Sequence, residues 1–201
     1  MKNSKSAFRT IISEWLLKDI PQAKERDVTI PLDSTKIITI AGPRRSGKTY
    51  LLFSTINKLL KIEPKNNILY INFEDERLLN IQIDDLQNII PIFYELANPT
   101  KEKSIYLFFD EIQNIEHWEK YIRRIYDSFQ YKIYLSGSSS KLLGREISTS
   151  LRGRSIELSI AYLIITVIIA VIALFSIIYG LKWKIDKITD VILITITISK
   201  R

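Results

Sequence analysis

The sequence predicts an α/β domain whose parallel sheet is covered by helices on both faces. Three observations carry that prediction. Strand-like and helix-like segments alternate strictly from Lys36 onward, a glycine-bearing loop joins the first strand to the first helix of that series, and a later apolar strand ends in two adjacent carboxylates. Strands that alternate with helices pair in parallel through crossovers, and the crossovers lay helices over both faces.

Phe8, Ile11, Ile12, Trp15 and Leu16 recur at helical spacing over residues 6–18, and Asp19-Ile20-Pro21 stops the run. This start lacks the continuous apolar stretch of a secretory signal, so the expected location of the domain is the cytoplasm. Residues 26–32 read as a short strand, which makes residues 1–35 an entry segment. The core, residues 36–157, then takes strands at 37–40, 68–73, 105–109 and 132–135, with helices at 47–60, about 84–96, and 115–129. Sheets of this class bind ligands at the carboxyl ends of their strands.

Composition narrows the chemistry. The chain has no cysteine and one histidine, which excludes disulfide frameworks, thiol catalysis and Cys/His zinc sites. Its formal charge of +7 is uneven. Residues 1–157 hold 24 basic and 20 acidic side chains. That is less basic than a dedicated nucleic-acid binder, although it permits phosphate contacts on one face.

Gly42-Pro43-Arg44-Arg45-Ser46-Gly47-Lys48-Thr49 fits the phosphate-binding loop pattern, and it stands where that pattern requires, after a strand and at the opening of a helix. Curled backbone amides and the helix N-terminus there favour a phosphate. Lys48 would meet the β/γ oxygens of ATP and Thr49 would offer a hydroxyl to Mg²⁺, and residues 42–50, Tyr50 included, are the candidate nucleotide-binding set. The apolar strand ending in Phe109-Asp110-Glu111 has the form of a Walker B segment. Asp110 would hold Mg²⁺ and Glu111 would polarise the attacking water.

The strand at 132–135 leads into Ser136-Gly137-Ser138-Ser139-Ser140. A serine here would touch the γ-phosphate or the water, Ser138 being the first choice and Ser136 the second; a serine-rich helix cap is the competing account. Arg152 and Arg154, and with less weight Arg145, are candidates for an arginine that reaches a neighbouring subunit's γ-phosphate. The competing account for them is simple complementation of a helix C-terminus. Phe73-Glu74-Asp75-Glu76-Arg77 reads as an acidic loop, and His117 as a helix-surface residue.

Taken together, Gly-Pro-Arg-Arg-Ser-Gly-Lys-Thr-Tyr at 42–50, Tyr70-Ile71-Asn72-Phe73-Glu74-Asp75-Glu76-Arg77, Phe109-Asp110-Glu111-Ile112-Gln113-Asn114 and Gly137-Ser138-Ser139-Ser140 resemble a prokaryotic, especially archaeal, family of AAA+-like P-loop ATPases. The match covers about residues 8–158. The resemblance implies a five-stranded sheet in the order 5-1-4-3-2, a fifth strand opening at 154–158, Arg152 or Arg154 as a trans-acting finger, and a homo-oligomer. Family members continue into a helical lid and a domain resembling restriction-type nucleases, whereas this sequence continues into an apolar run.

That run, residues 158–181, holds 24 residues without a charge. As a helix it would be about 36 Å long, against a hydrocarbon core of about 30 Å. Lys182, Trp183 and Lys184 would suit an interfacial anchor. The expectation is a single transmembrane helix followed by a short tail at 182–201. A buried core helix, or a displaced or shortened gene end, are the alternatives. The functional expectation is a membrane-tethered ATPase that couples Mg·ATP hydrolysis to a conformational change in an unknown protein partner. A nucleotide-dependent binding module with little turnover and a nucleic-acid-handling ATPase are its rivals.

Overall fold

The computed structural model describes residues 4–22, 30–100, 102–138, 151–160, 171–180 and 182. The chain divides into two compact units, Met1–Ile160 and Ala161–Arg201. The first is a three-layer α/β fold with a five-stranded parallel sheet. Its elements are α1 (Ser4–Leu17), β1 (Ile37–Gly42), α2 (Lys48–Leu59), β2 (Ile68–Asn72), α3 (Ile89–Ala97), β3 (Tyr106–Asp110), α4 (Trp118–Ser128), β4 (Lys132–Ser138) and β5 (Ser155–Ser159).

The sheet order is β2-β3-β4-β1-β5, the order that the resemblance implies. Central strands carry the densest apolar runs for a physical reason. All six residues of β1 and all five of β3 are buried, because helices cover both faces and leave no side for solvent. Parallel pairing sets Gly42 beside Ser138 and Asn72 beside Asp110, so the carboxyl ends of β1, β2, β3 and β4 lie together at one edge.

At the outer edge, β2 would leave unpaired backbone groups, and α1 covers part of it. The Trp15 indole Nε1–H donates to the Ile68 carbonyl at 2.6 Å. Phe8, Ile11, Ile12 and Trp15 are the buried face of α1, the apolar stripe its spacing predicts. Arg77 ties this helix down from the other side, bridging Glu14 and Asp75 at 2.7 Å each.

Several boundaries differ from the sequence reading. The helix expected at 84–96 begins as a 3-10 segment, Ile83–Asn88, and becomes α-helical only from Ile89. The last strand of the 105–135 region extends to Ser138, so Ser136 and Ser138 stand on β4 rather than in a helix cap. Of the strand expected at 26–32, residues 26–29 lie outside the described residues, and Ile30, Pro31 and Leu32 are irregular. Pro31 and Leu32 are held by their carbonyls, which accept from the Tyr134 hydroxyl at 3.1 and 3.3 Å.

The apolar run begins in the sheet. Leu158 and Ser159, expected as the start of a transmembrane helix, belong to β5, where they pair with Ile40 and Ala41 of β1. Hydropathy alone does not separate a buried strand from a buried helix. An open β1 edge, rich in backbone donors and acceptors, settles the choice at these residues. Farther along, residues 171–180 are helical, while 161–170 and 181 lie outside the described residues. Among the described residues no helix is long and apolar enough to cross a membrane.

Candidate functional site

The site forms where β1 and β3 end. After β1 the chain turns through the loop at 43–47, with Arg45 at φ 63° and Gly47 at φ 84°, and then enters α2. A side chain at Gly47 would be strained in that left-handed conformation, which is why glycine stands there. Gly42 serves a different need: a Cβ on it would come within 2.8 Å of Ser46 Oγ and 3.2 Å of Ile160 Cβ. The N-cap Gly47 makes no side-chain cap, and the first turn of α2 contains no acidic residue. The positive end of the helix dipole therefore favours an anion at this loop.

Lys48 and Thr49 open α2 and meet the carboxylates that end β3. The Thr49 hydroxyl donates to Asp110 Oδ2 at 2.7 Å. Lys48 Nζ lies 3.1 Å from Glu111 Oε1, with the two side chains 3% and 10% exposed. The same ammonium donates to the carbonyls of Gly42 at 3.3 Å and Pro43 at 3.2 Å. Glu111 takes a left-handed backbone conformation, φ 51°, immediately after the strand. Such a residue without a glycine's freedom costs about 1–2 kcal/mol, and strain of this kind concentrates at functional positions.

Asp110 is fully buried and surrounded by hydroxyls. Tyr70 donates to Oδ2 at 2.9 Å, and Ser136 donates to Oδ1. Ser136 Oγ also accepts from the Glu111 amide at 3.3 Å, so this one side chain holds both carboxylate residues. Burial first, and then the Asp110 charge, push the Tyr70 phenol far above its ordinary value, which keeps its hydroxyl protonated as a donor. The Gln113 amide donates to Glu111 Oε2 at 2.5 Å from the 3-10 turn Ile112–Asn114.

An open cleft of about 620 Å³ lies against these groups, lined by Arg44, Arg45, Gly47, Lys48, Thr49, Tyr50, Glu74 and Glu111. That volume is in the range of small-molecule and cofactor sites. Arg44 reaches Glu74 at 3.3 Å and links the loop to the end of β2. Tyr50 is exposed at the rim. Among the described residues there is no group of three or more His, Asp or Glu able to hold a metal by themselves. The donors present are hard oxygens, Thr49 and Asp110, which suit a Mg²⁺ ion that keeps its waters and takes the rest of its ligands from phosphate.

The structure brings together Gly42, Gly47, Lys48, Thr49, Asp110 and Glu111. Ser136, the second choice among the serines, touches Asp110, while Ser138 stands two residues farther along β4, level with Gly42. Arg152 and Arg154 lie elsewhere. The Arg154 carbonyl accepts from the amide of Ile37, the first residue of β1, so both arginines are at the end of the sheet opposite the loop. Arg154 pairs with Asp127 at 2.9 Å. Arg145 is outside the described residues. Tyr70 and Gln113 join the site although the motifs that contain them give neither a role. Strand parity offers a signal for the first: Tyr70 pairs with Phe108, so it shares a face with Asp110 two residues on and is within diagonal reach.

A family model described as an AAA domain matches residues 34–166. An uncharacterized protein of Methanocaldococcus jannaschii is 45% identical over 157 residues, 76% of this chain and 33% of its own length. An uncharacterized protein of Haemophilus influenzae is 36% identical over 129 residues, 64% of this chain and 32% of its own. The chain thus spans about a third of the length of these curated relatives. Among solved structures, a DNA polymerase III gamma subunit-related protein of Thermotoga maritima superposes with a TM-score of 0.45 at 14% identity, over 78% of this chain and 45% of its own.

Proposed function

The chain belongs to the AAA-domain family of P-loop ATPases, and from that membership we propose that its cleft binds Mg·ATP and hydrolyses it with Glu111 as the base. One observation carries the reading: two segments about sixty residues apart converge so that Thr49 meets Asp110 at 2.7 Å and Lys48 meets Glu111 at 3.1 Å. Phosphate chemistry needs that pairing, a cation and a hydroxyl facing two carboxylates.

In this reading the backbone N–H groups of Arg44, Arg45, Ser46 and Gly47, in the loop that Gly42 and Pro43 open, and the N-terminus of α2 cradle the phosphates. Lys48 exchanges Glu111 for the β/γ oxygens, and Tyr50 offers its ring at the rim. Thr49 and Asp110 are the residues that would hold Mg²⁺, which supplies charge neutralisation on the phosphates when bound. Glu111, released from Lys48, orients a water and accepts its proton. Ser138 faces the γ-phosphate side from β4. Arg152 and Arg154, remote from their own cleft, act on the site of a neighbouring copy, which makes the working form an oligomer. Turnover drives a conformational change in a protein partner.

The test is ATP turnover and fluorescent-nucleotide binding by the wild-type chain, Lys48→Ala and Glu111→Gln. Binding lost in Lys48→Ala, with binding kept and turnover lost in Glu111→Gln, is the expected result. Turnover equal to wild type in Glu111→Gln would remove its role as base, and absence of nucleotide binding by the wild type would remove the whole reading.

A membrane tether is a second reading, favoured by one observation: in the helical residues 171–180 the apolar side chains of Val171, Ile172, Leu174, Phe175, Ile177 and Ile178 are all exposed. Resistance of the full chain to carbonate extraction is expected, and release into the supernatant would refute it.

A further inference from the structure

We propose that Tyr70 is a positioning residue for the cation site: its hydroxyl holds the Asp110 carboxylate in the orientation that accepts a hydrogen bond from a metal-bound water. The proposal rests on the Mg·ATP reading above and adds to it a residue from β2, a strand that the phosphate loop and the β3 carboxylates do not include. An ionised carboxylate has about four acceptor directions, two on each oxygen. Thr49 and Tyr70 take Oδ2, at 2.7 and 2.9 Å, and Ser136 takes Oδ1. Three hydroxyls on three different elements, α2, β2 and β4, fix both the plane and the rotation of the group. The remaining direction is on Oδ1.

Tyr70 is itself immobilised. Its ring lies 5.5 Å from that of Trp15 on α1 and 4.9 Å from that of Phe53 on α2. Trp15 is in turn anchored to the backbone of β2 by its indole N–H. The amino-terminal helix therefore braces the tyrosine that braces the carboxylate. Packing alone would be met by phenylalanine. The hydroxyl's one described partner is Asp110, and a hydroxyl on an ionised acceptor is among the stronger protein hydrogen bonds.

Tyr70→Phe in the full chain removes the hydroxyl and keeps the ring. The measurement is binding of a fluorescent ATP analogue across a Mg²⁺ titration and again in EDTA, with thermal melting followed alongside. The Mg²⁺ concentration for half-maximal enhancement of binding should rise roughly tenfold, the effect expected for one hydrogen bond to a charged group. Binding in EDTA should stay within about twofold of wild type, since the phosphate loop is untouched. Equal weakening with and without Mg²⁺ would assign Tyr70 to general support of the fold and overturn the proposal. An unchanged Mg²⁺ requirement would overturn it too, while leaving the Mg·ATP reading intact. A wild-type chain whose nucleotide binding ignores Mg²⁺ would overturn both.

Discussion

Replacing Lys48 by methionine and Glu111 by glutamine, singly and together, measures how strongly the two charges are coupled when no nucleotide is present. The two side chains are 3.1 Å apart and nearly buried. Removing one member of a buried ion pair costs about 3–5 kcal/mol, because the other is left uncompensated. Here each partner retains support: Lys48 keeps the Gly42 and Pro43 carbonyls, and Glu111 keeps the Gln113 amide. One side of the pair also faces the open cleft. A coupling energy of about 1.5–3 kcal/mol is therefore expected from the cycle. Urea unfolding of the four proteins at pH 7, without nucleotide, supplies the numbers. Additivity of the two single changes within about 0.5 kcal/mol would refute the reasoning. A second consequence follows from mass action. On the Mg·ATP reading, ATP would displace Glu111 from Lys48, so Glu111→Gln should bind nucleotide roughly tenfold more tightly than wild type, about 1.4 kcal/mol.

Trp15→Phe should destabilise the first unit by about 1–3 kcal/mol, since it leaves the Ile68 carbonyl at the sheet edge without the 2.6 Å indole bond; a melting temperature equal to wild type would refute that role for α1. Acid stability should depend on Arg77. Hydrogen bonds from Arg77, ahead of any other cause, hold the Asp75 carboxyl below its ordinary value of 3.8, and Glu14 is lowered by the same guanidinium. The folded chain then binds fewer protons at these carboxylates than the unfolded chain. Their contribution is complete above the ordinary carboxylate range and is lost as pH falls through the depressed folded values. Arg77→Met should flatten the acid limb of a stability-versus-pH curve, and an unaltered limb would show that the contact contributes nothing there.

Local pattern determines a large part of this protein. The spacing of Gly42, Gly47, Lys48 and Thr49 between a strand and a helix specifies a phosphate loop, because only a backbone free to curl at Gly47, φ 84°, can aim its amides inward. The apolar run through Phe109 specifies a central strand, and the alternation of elements specifies a parallel sheet. These features are legible because each depends on residues adjacent in the chain. What tertiary structure decided depends on residues brought together from afar. The pairing of β4 with β3 chose Ser136 rather than Ser138 as the partner of Asp110. Strand parity and the packing of Trp15 and Phe53 against its ring placed the Tyr70 hydroxyl on the same carboxylate. The edge of β1 drew Leu158 and Ser159 into the sheet, where hydropathy had suggested the start of a membrane helix. For Ser136 and Tyr70 the sequence offers a side chain of suitable chemistry, for residues 158 and 159 a backbone able to pair, and only the register of neighbouring strands determines what comes within hydrogen-bond reach.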